Sequence, residues 1–155
     1  MPYKMKTDKI KNKIHKRIKA NDAYFEINWS KFKKAEKYDI NSSVPAESGV
    51  FELYYMDNKK RLNLMYISRV WFGGLRSTIR KLTDPELEFD EKWKDVLLKH
   101  DCYYRYALSD SNKDMEDVLF YFSEVLFPGA NRCIDSDRYQ NIYLIEESPE
   151  KFNTV

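Results

Sequence analysis

The chain has 155 residues and a mass of 18.7 kDa, a size that suits one domain with a buried core. Its 43% of apolar and 15% of aromatic residues exclude a disordered chain, and four glycines and five prolines exclude a collagen-like one. No apolar run approaches the roughly 20 residues that cross a bilayer, and no signal-peptide pattern begins the chain. We therefore expect a cytoplasmic protein that does not bind membranes, with Cys102 and Cys133 as free thiols.

Positive charge is concentrated at the start of the chain. The formal net charge is only +2, but residues 1–40 have a net charge of +7 and residues 41–155 have −5. Such an asymmetry is typical of a basic arm attached to a mildly acidic domain. The sequence thus predicts two parts. Residues 1–40 form a basic helical arm followed by an aromatic docking segment, and residues 41–155 form an α+β domain.

Residues 4–21 are predicted to form the helix of this arm. Ile10, Ile14 and Ile18 recur every four residues, which gives a narrow apolar stripe, and basic side chains cover the other faces. Basic residues in this arrangement either contact nucleic acid or an acidic partner, or form a solvated helix face. The candidate nucleic-acid contacts in the arm are Lys11, Lys13, Lys16 and Arg17.

Aromatic residues follow the arm between positions 24 and 32. Residues 29–37 are predicted to form a short helix with Trp29 and Phe32 on its apolar side. We expect these rings to pack against the domain, although aromatic rings also stack on nucleic-acid bases.

Strand and helix patterns follow one another through the rest of the chain. Helices are predicted at residues 75–82 and 85–99, and a further helix begins at 110–112 and ends before Pro128-Gly129. A polar turn at residues 57–60 joins the first two strands into a hairpin. The predicted strands are residues 49–56, 61–68, 102–108 and 139–145. This order predicts an α+β fold with a small antiparallel three-stranded sheet flanked by helices.

Four short motifs have the order and spacing of the GIY-YIG nuclease domain, so that residues 48–131 resemble that family. Gly49-Val50-Phe51 stands where members of the family begin with Gly-Ile-Tyr, and Tyr66-Ile67-Ser68 stands in place of Tyr-Ile-Gly. The Leu-x-x-Arg helix of the family corresponds to residues 75–79. Its Pro-x-x-Asn ending corresponds to Pro128 and Asn131.

The resemblance implies metal-assisted cleavage of phosphodiesters, in which motif tyrosines and an arginine handle water and phosphate while a helix Glu holds a divalent ion. This sequence departs from that pattern at most polar positions. Phe51 lacks the phenol of the first Tyr, Ser68 replaces a Gly, and Thr78 stands where the Arg is expected. Leu119 or Phe120 stands where the metal-binding Glu is expected.

Other polar residues lie within about one helical turn of the missing groups. If the protein is an active nuclease, Tyr66, Arg76, Arg80 and Glu124 are the candidate catalytic residues. Glu124 is then also the candidate ligand of Mg²⁺. If the site is inactive, no cofactor is expected.

A partner surface is a further candidate in this segment. Trp71 and Phe72 precede a Gly-Gly pair, and they either form such a surface with Arg69 or fill a hydrophobic gap. No Ser-His-Asp or Cys-His catalytic set and no Gly-rich phosphate loop is present in the sequence.

Three functions remain open from the sequence. The first, which the sequence favours, is a catalytically degenerate GIY-YIG-like module that binds nucleic acid or a nucleoprotein. It would do so through the arm and through Arg76, Arg80 and Lys81. The second is a divalent-metal-dependent endonuclease with shifted catalytic residues. The third is a protein-interaction module without a nucleic-acid role.

Overall fold

The computed structural model describes residues 12–88, 90–126 and 138–149. In these residues the protein has an α+β fold with two sheets and four α-helices. The elements in chain order are β1 (Ile14–Lys19), β2 (Asp22–Asn28), β3 (Lys33–Lys34), α1 (Lys37–Ser43), β4 (Gly49–Met56), β5 (Leu62–Val70), α2 (Gly74–Leu82), α3 (Glu91–Lys99), β6 (Cys102–Leu108), α4 (Asn112–Tyr121) with a π-helical continuation (Phe122–Leu126), and β7 (Asn141–Glu147).

The larger sheet is antiparallel, with four strands in the order β3-β6-β4-β5. Its three long strands are those that the sequence predicts, and the predicted hairpin is the β4–β5 pair. The turn of this hairpin is held by Asp57, whose Oδ1 accepts hydrogen bonds from the backbone N–H groups of Lys59 and Arg61 at 2.8 and 2.9 Å. The two-residue strand β3 is too short to leave a pattern in the sequence.

Alternation along the strands gives this sheet two buried faces. On one face, Val50 packs with Met115 of α4 and with Phe25 of β2. On the other face, Phe51 packs with Leu75 of α2. The four-stranded sheet therefore separates α2 from α4.

The smaller sheet has the strand order β1-β2-β7, with β1 antiparallel and β7 parallel to β2. Its inner face carries Ala23, Phe25 and Ile27, which are buried, while Ile142 and Leu144 of β7 pack beside them. The helix α4 contacts this inner face and the four-stranded sheet, so that one core joins both sheets.

The predicted helix at residues 4–21 is wrong for its described part, because residues 14–19 form strand β1. Residues 1–11 lie outside the described residues. A stripe of Ile14 and Ile18 also satisfies a period of two, and Ala20 at a φ of +56° turns the chain back into β2. Burial against a long apolar strand then favours the strand over a helix with a thin apolar stripe.

The aromatic segment packs on the domain, as predicted. Trp29 is 2% exposed and belongs to the same core as Val50, so the core extends across the predicted boundary at residue 40. The predicted short helix at residues 29–37 is wrong. Ser30 is instead held beside β6 in both directions, since its N–H donates to the carbonyl of Tyr106 and its Oγ accepts from the N–H of Tyr106.

The three helices predicted after residue 74 are present as α2, α3 and α4, with adjusted starts. Residues 85–88 form a turn rather than the first part of α3, and Asp90 caps α3 by accepting from the N–H of Lys92 at 2.9 Å. Ser111 caps α4 in the same way through the N–H of Asp114. Among the described residues, no helix has the length and apolarity needed to cross a membrane.

Candidate functional site

The predicted catalytic residues Tyr66 and Arg80 both lie beside the turn that joins α2 to α3. The hydroxyl of Tyr66 donates to Oε2 of Glu88 at 3.4 Å, and Nη1 of Arg80 lies 3.5 Å from Oδ2 of Asp84. Burial first, and then the charge of Glu88, raises the pKa of Tyr66 to about 12. A phenol with this pKa stays protonated near neutral pH and is a poor general base.

The other two predicted cations of α2 differ in their surroundings. Nε of Arg76 donates to the carbonyl of Val44 at 2.7 Å, so part of its guanidinium has a structural role. Lys81 is exposed and makes no ion pair with any residue that the structure describes.

Glu124 does not join these residues. It is exposed on the π-helical continuation of α4, and α4 and α2 lie on opposite faces of the four-stranded sheet. In the described part of the chain, no group of three His, Cys, Asp or Glu side chains is placed to hold a metal ion. These residues do not assemble a magnesium site at Glu124, and magnesium binding stays a prediction from the resemblance.

The basic residues predicted to contact nucleic acid do not form one surface either. Lys16 and Arg17 belong to strand β1 of the smaller sheet, and Lys13, just before that strand, bridges to Leu108 of β6. Lys11 lies outside the described residues. Nζ of Lys16 is 2.9 Å from Oδ1 of Asp114. Burial lowers the pKa of Lys16, but its contacts with Tyr139 and Asp114 outweigh burial and raise it.

An aromatic and basic surface occupies the outer face of the smaller sheet, and the sequence analysis missed it. Arg17, Tyr24 and Tyr143 are direct neighbours across β1, β2 and β7. The rings of Tyr24 and Tyr143 stack with centroids 4.9 Å apart and planes at 14°. The guanidinium of Arg17 lies 5.3 Å from the centre of the Tyr24 ring. We call these three residues the aromatic ladder.

The aromatic ladder is open to solvent. Tyr143 is 46% exposed and Ile145, two residues further along the same face, is 62% exposed. A groove of about 690 Å³ lies against the middle of the three strands and is bordered also by Tyr121. The strand pattern of residues 22–28, in which Ala23, Phe25 and Ile27 alternate with polar or amphipathic residues, is the signal that predicts this face.

Charge is graded across the outer face. His15, Arg17 and Lys19 stand at alternate positions along the edge strand β1, and Lys13 precedes the strand in the same alternation. Glu26 lies on β2 opposite His15, on the side of the ladder away from Lys19. The positive groups therefore border the stacked rings on the β1 side.

A buried polar cluster ties the two sheets together on their inner side. Nε of Arg105 donates to Oε1 of Glu52 at 2.6 Å, and its guanidinium lies between the rings of Trp29 and Phe32, 4.4 and 4.6 Å from their centres. The indole N–H of Trp29 donates to Glu146 of β7 at 2.8 Å. The hydrogen bonds and ring contacts of this cluster join groups of the protein to one another, as in a structural element.

The sequence analysis also singled out two cysteines and the pair of Trp71 and Phe72. Cys102 is a free thiol, and burial first, then Asp101, raises its pKa to about 11, which makes it a poor nucleophile. Cys133 lies outside the described residues. Trp71 and Phe72 are 37% and 85% exposed, so they do not fill a hydrophobic gap.

Fold and surface define an α+β protein with two sheets, one of which presents stacked tyrosines and an arginine to solvent. A family model described as "uncharacterised protein" matches residues 13–155, and the chain belongs to that family. No curated protein and no solved structure matches the chain. The resemblance to the GIY-YIG domain stays a prediction.

Proposed function

We propose that the protein is a binding module for single-stranded nucleic acid, and that the aromatic ladder is its contact surface. The observation that carries the proposal is the exposed stack of Tyr24 on Tyr143 with Arg17 beside it. Proteins bind single strands by combining aromatic rings, on which bases stack, with cations that follow the phosphates.

The order of groups across the sheet matches the order of groups along a nucleotide. Bases would stack over Tyr143, which leaves 46% of its surface exposed, and continue along the sheet over Ile145. Phosphates would follow the edge strand, where Arg17 and Lys19 are exposed. Glu26 would repel phosphates from the centre of the sheet, so a strand would run along the β1 edge.

A duplex fits this surface less well than a single strand does. The bases of a duplex are already stacked and paired, so their faces cannot reach two tyrosines on a sheet. The resemblance to a nuclease family is consistent with a nucleic-acid ligand, but the ladder does not use the motif positions of that family. The proposal therefore stands on the sheet face and not on the resemblance.

Fluorescence anisotropy with labelled single-stranded and double-stranded DNA and RNA tests the proposal. We expect single strands to bind more tightly than duplexes. Tyr143→Ala should weaken binding about 5- to 100-fold, the effect of losing one base stack. Tyr38→Ala is the matched control, because Tyr38 is 83% exposed on α1 and belongs to another surface. Equal affinity in Tyr143→Ala and the natural protein would overturn the proposal.

The competing contact surface on α2 is tested in the same assay. Lys81→Gln removes an exposed positive charge there, and we expect affinity to stay within about twofold. A greater loss in Lys81→Gln than in Tyr143→Ala would place the contact on α2, which the sequence analysis predicted as a contact together with the basic arm. The products are run on a denaturing gel with magnesium present, so that cut strands, lost on adding chelator, would reveal the endonuclease alternative.

Protein binding is the second candidate function, favoured by the exposed pair of Trp71 and Phe72. Their rings lie 6.4 Å apart in an edge-to-face arrangement at the end of β5. Exposed aromatic residues are enriched at protein interfaces. Absence of nucleic-acid binding at low salt would bring this candidate forward.

A further inference from the structure

Strand β7 forms one edge of the smaller sheet. It pairs with β2 on one side, and no strand in the described part of the chain pairs with its other side. The carbonyl of Glu147 accepts from the N–H of Trp29, the residue that follows β2, so the backbone of residue 147 points toward β2. Because this direction alternates along a strand, the N–H and C=O groups of Ile142, Leu144 and Glu146 point to the free edge.

The free edge of β7 lacks the protection that the other edge strands have. Unpaired edges attract further strands, and proteins usually blunt them with short strands, charged side chains or bulges. Strand β3 has only two residues, and β1 is rich in cations. Strand β5 is bulged, since its register with β4 passes from Tyr66 to Leu64 and leaves out the residue between them. In contrast, residues 141–145 of β7 carry no charge and no proline, and they pair with β2 without interruption.

Apolar side chains accompany the free backbone groups of this edge. Tyr143 is 46% exposed and Ile145 is 62% exposed, both on the outer face. Glu146 is the first charged residue along the strand, but its Oε1 accepts from the indole N–H of Trp29 at 2.8 Å and lies 3.6 Å from Nη2 of Arg105. This carboxylate is therefore held by the protein itself. An edge of this kind is suited to the addition of another strand.

The sequence of β7 is complementary to itself in an antiparallel register centred on Leu144. Leu144 would oppose Leu144 of a second copy, and the two residues would exchange a pair of backbone hydrogen bonds because both point to the free edge. Tyr143 would oppose Ile145 of the second copy, which is a favourable pairing of an aromatic with a β-branched side chain. The acidic end of each strand would meet the uncharged start of the other. Strand β1 paired with itself about its middle would instead place Lys16 opposite Arg17.

We propose that the protein forms a symmetric dimer in which β7 pairs antiparallel with β7 of a second copy, so that two three-stranded sheets become one. Two-fold symmetry is the commonest arrangement of homo-oligomers. The outer faces of the two sheets then form one surface, and Ile145 of the second copy lies beside Tyr143 of the aromatic ladder. The dimer does not depend on the proposed nucleic-acid function, although it would offer a bound strand two ladders on one face.

Sedimentation equilibrium of the full chain, without nucleic acid, tests the dimer. We expect a mass that approaches twice 18.7 kDa as the protein concentration rises to about 0.1 mM. Ile145→Lys places a charge at the centre of the interface, and we expect the dissociation constant to rise at least about tenfold, since the substitution acts twice in the dimer. Ile18→Lys is the matched control, because Ile18 is 53% exposed on β1 at the opposite edge of the same sheet. This variant should dimerise normally.

Three results would overturn the proposal. One is a monomer at every concentration, which would leave the edge to another protein or to residues outside the described ranges. Another is equal dissociation constants in Ile145→Lys and the natural protein, which would place the contact elsewhere. The third is growth beyond a dimer, which would indicate head-to-tail pairing of β7 with β1. Arg17→Gln should dimerise normally, which separates failure of the dimer from failure of the nucleic-acid proposal.

Discussion

Arg105 and Glu52 face each other on the neighbouring strands β6 and β4, with Nε of Arg105 2.6 Å from Oε1 of Glu52. The Glu52 side chain is only 2% exposed, and the hydroxyl of Tyr54 donates to the same oxygen at 3.0 Å. Nη2 of Arg105 also lies 3.6 Å from Glu146 of β7, which makes the pair a link between the two sheets. The stability of the fold should therefore depend on this pair.

Arg105→Leu should destabilise the protein by about 3–5 kcal/mol, because it leaves the buried Glu52 carboxylate without its cation. The double variant with Glu52→Leu should recover much of this loss, since both charges are then absent from the core. Urea unfolding of the natural protein and the two variants measures the effect. A single variant within about 1 kcal/mol of the natural protein would contradict it.

Glu52 also predicts a pH dependence. Burial outweighs the attraction of Arg105 and raises the pKa of Glu52 above its ordinary value of 4.5. As the pH rises above 4.5, the unfolded chain releases this proton before the folded one does, so the contribution of Glu52 to stability falls. Unfolding of the natural protein and Glu52→Gln between pH 4 and 8 should show the advantage of the natural protein decreasing with pH. A constant difference would argue against the raised pKa.

For Asp57, in the β4–β5 turn, we expect the opposite dependence of stability on pH. Hydrogen bonds, first from the backbone of Arg61 and then from Asn63, lower the pKa of Asp57 to about 2. Its contribution to stability is present above its ordinary pKa of 3.8 and is lost as the pH falls toward 2. Asp57→Asn should be less stable than the natural protein at neutral pH, and the difference should disappear near pH 2. Thermal unfolding at both pH values measures this, and Asp110→Asn on an exposed loop is the control.

Substitution of Gly49 by alanine should disturb the packing between β4 and β6. A Cβ at this position would lie 2.4 Å from the carbonyl oxygen of Ala107 and 2.8 Å from Cδ1 of Leu75. Gly49→Ala should cost about 3 kcal/mol, because the backbone of β6 has to move. A Cβ at Gly73 meets only Oγ of Ser77, at an ordinary contact distance of 3.9 Å, so Gly73→Ala should cost about 1–2 kcal/mol for its φ of +87°. Equal losses in the two variants, measured by urea unfolding, would reject the close approach at Gly49.

The proposed nucleic-acid surface predicts a change in salt dependence. Arg17→Gln removes one cation from the β1 edge, so the plot of log affinity against log salt concentration should become shallower by about one unit. Lys16→Gln should change the slope less, because Asp114 already pairs with Lys16 at 2.9 Å. Anisotropy titrations at several salt concentrations measure both slopes. An unchanged slope in Arg17→Gln would remove this arginine from the contact.

Elements with strong local patterns were predicted well. The hairpin of β4 and β5, strand β6 and helix α2 follow from alternation, from helical periodicity and from turn residues that act within a few positions. The capping of α4 by Ser111 is equally local. These features depend on neighbours in the sequence, and the sequence therefore predicts them.

Strand β1 was predicted as a helix because Ile14 and Ile18 satisfy both periodicities. The choice depends on β2, whose Phe25 and Ile27 are buried against the other sheet and provide a strand on which β1 pairs. The predicted catalytic set failed to assemble for a similar reason. Whether Glu124 meets Arg80 depends on which face of the sheet each helix covers, and no local pattern contains that information.

The sequence by itself determined an α+β protein, most of its strands and helices, and an excess of positive charge near its start. Only the tertiary structure decided where that charge lies and that it borders two stacked tyrosines. Tyr24 and Tyr143 are 119 positions apart, and they stack because β7 pairs in parallel with β2. Such pairing is selected by burial of the opposite face, where Phe25 and Leu144 contact the shared core. That burial depends on residues from distant parts of the chain, so no single segment of the sequence predicts the surface that results from it.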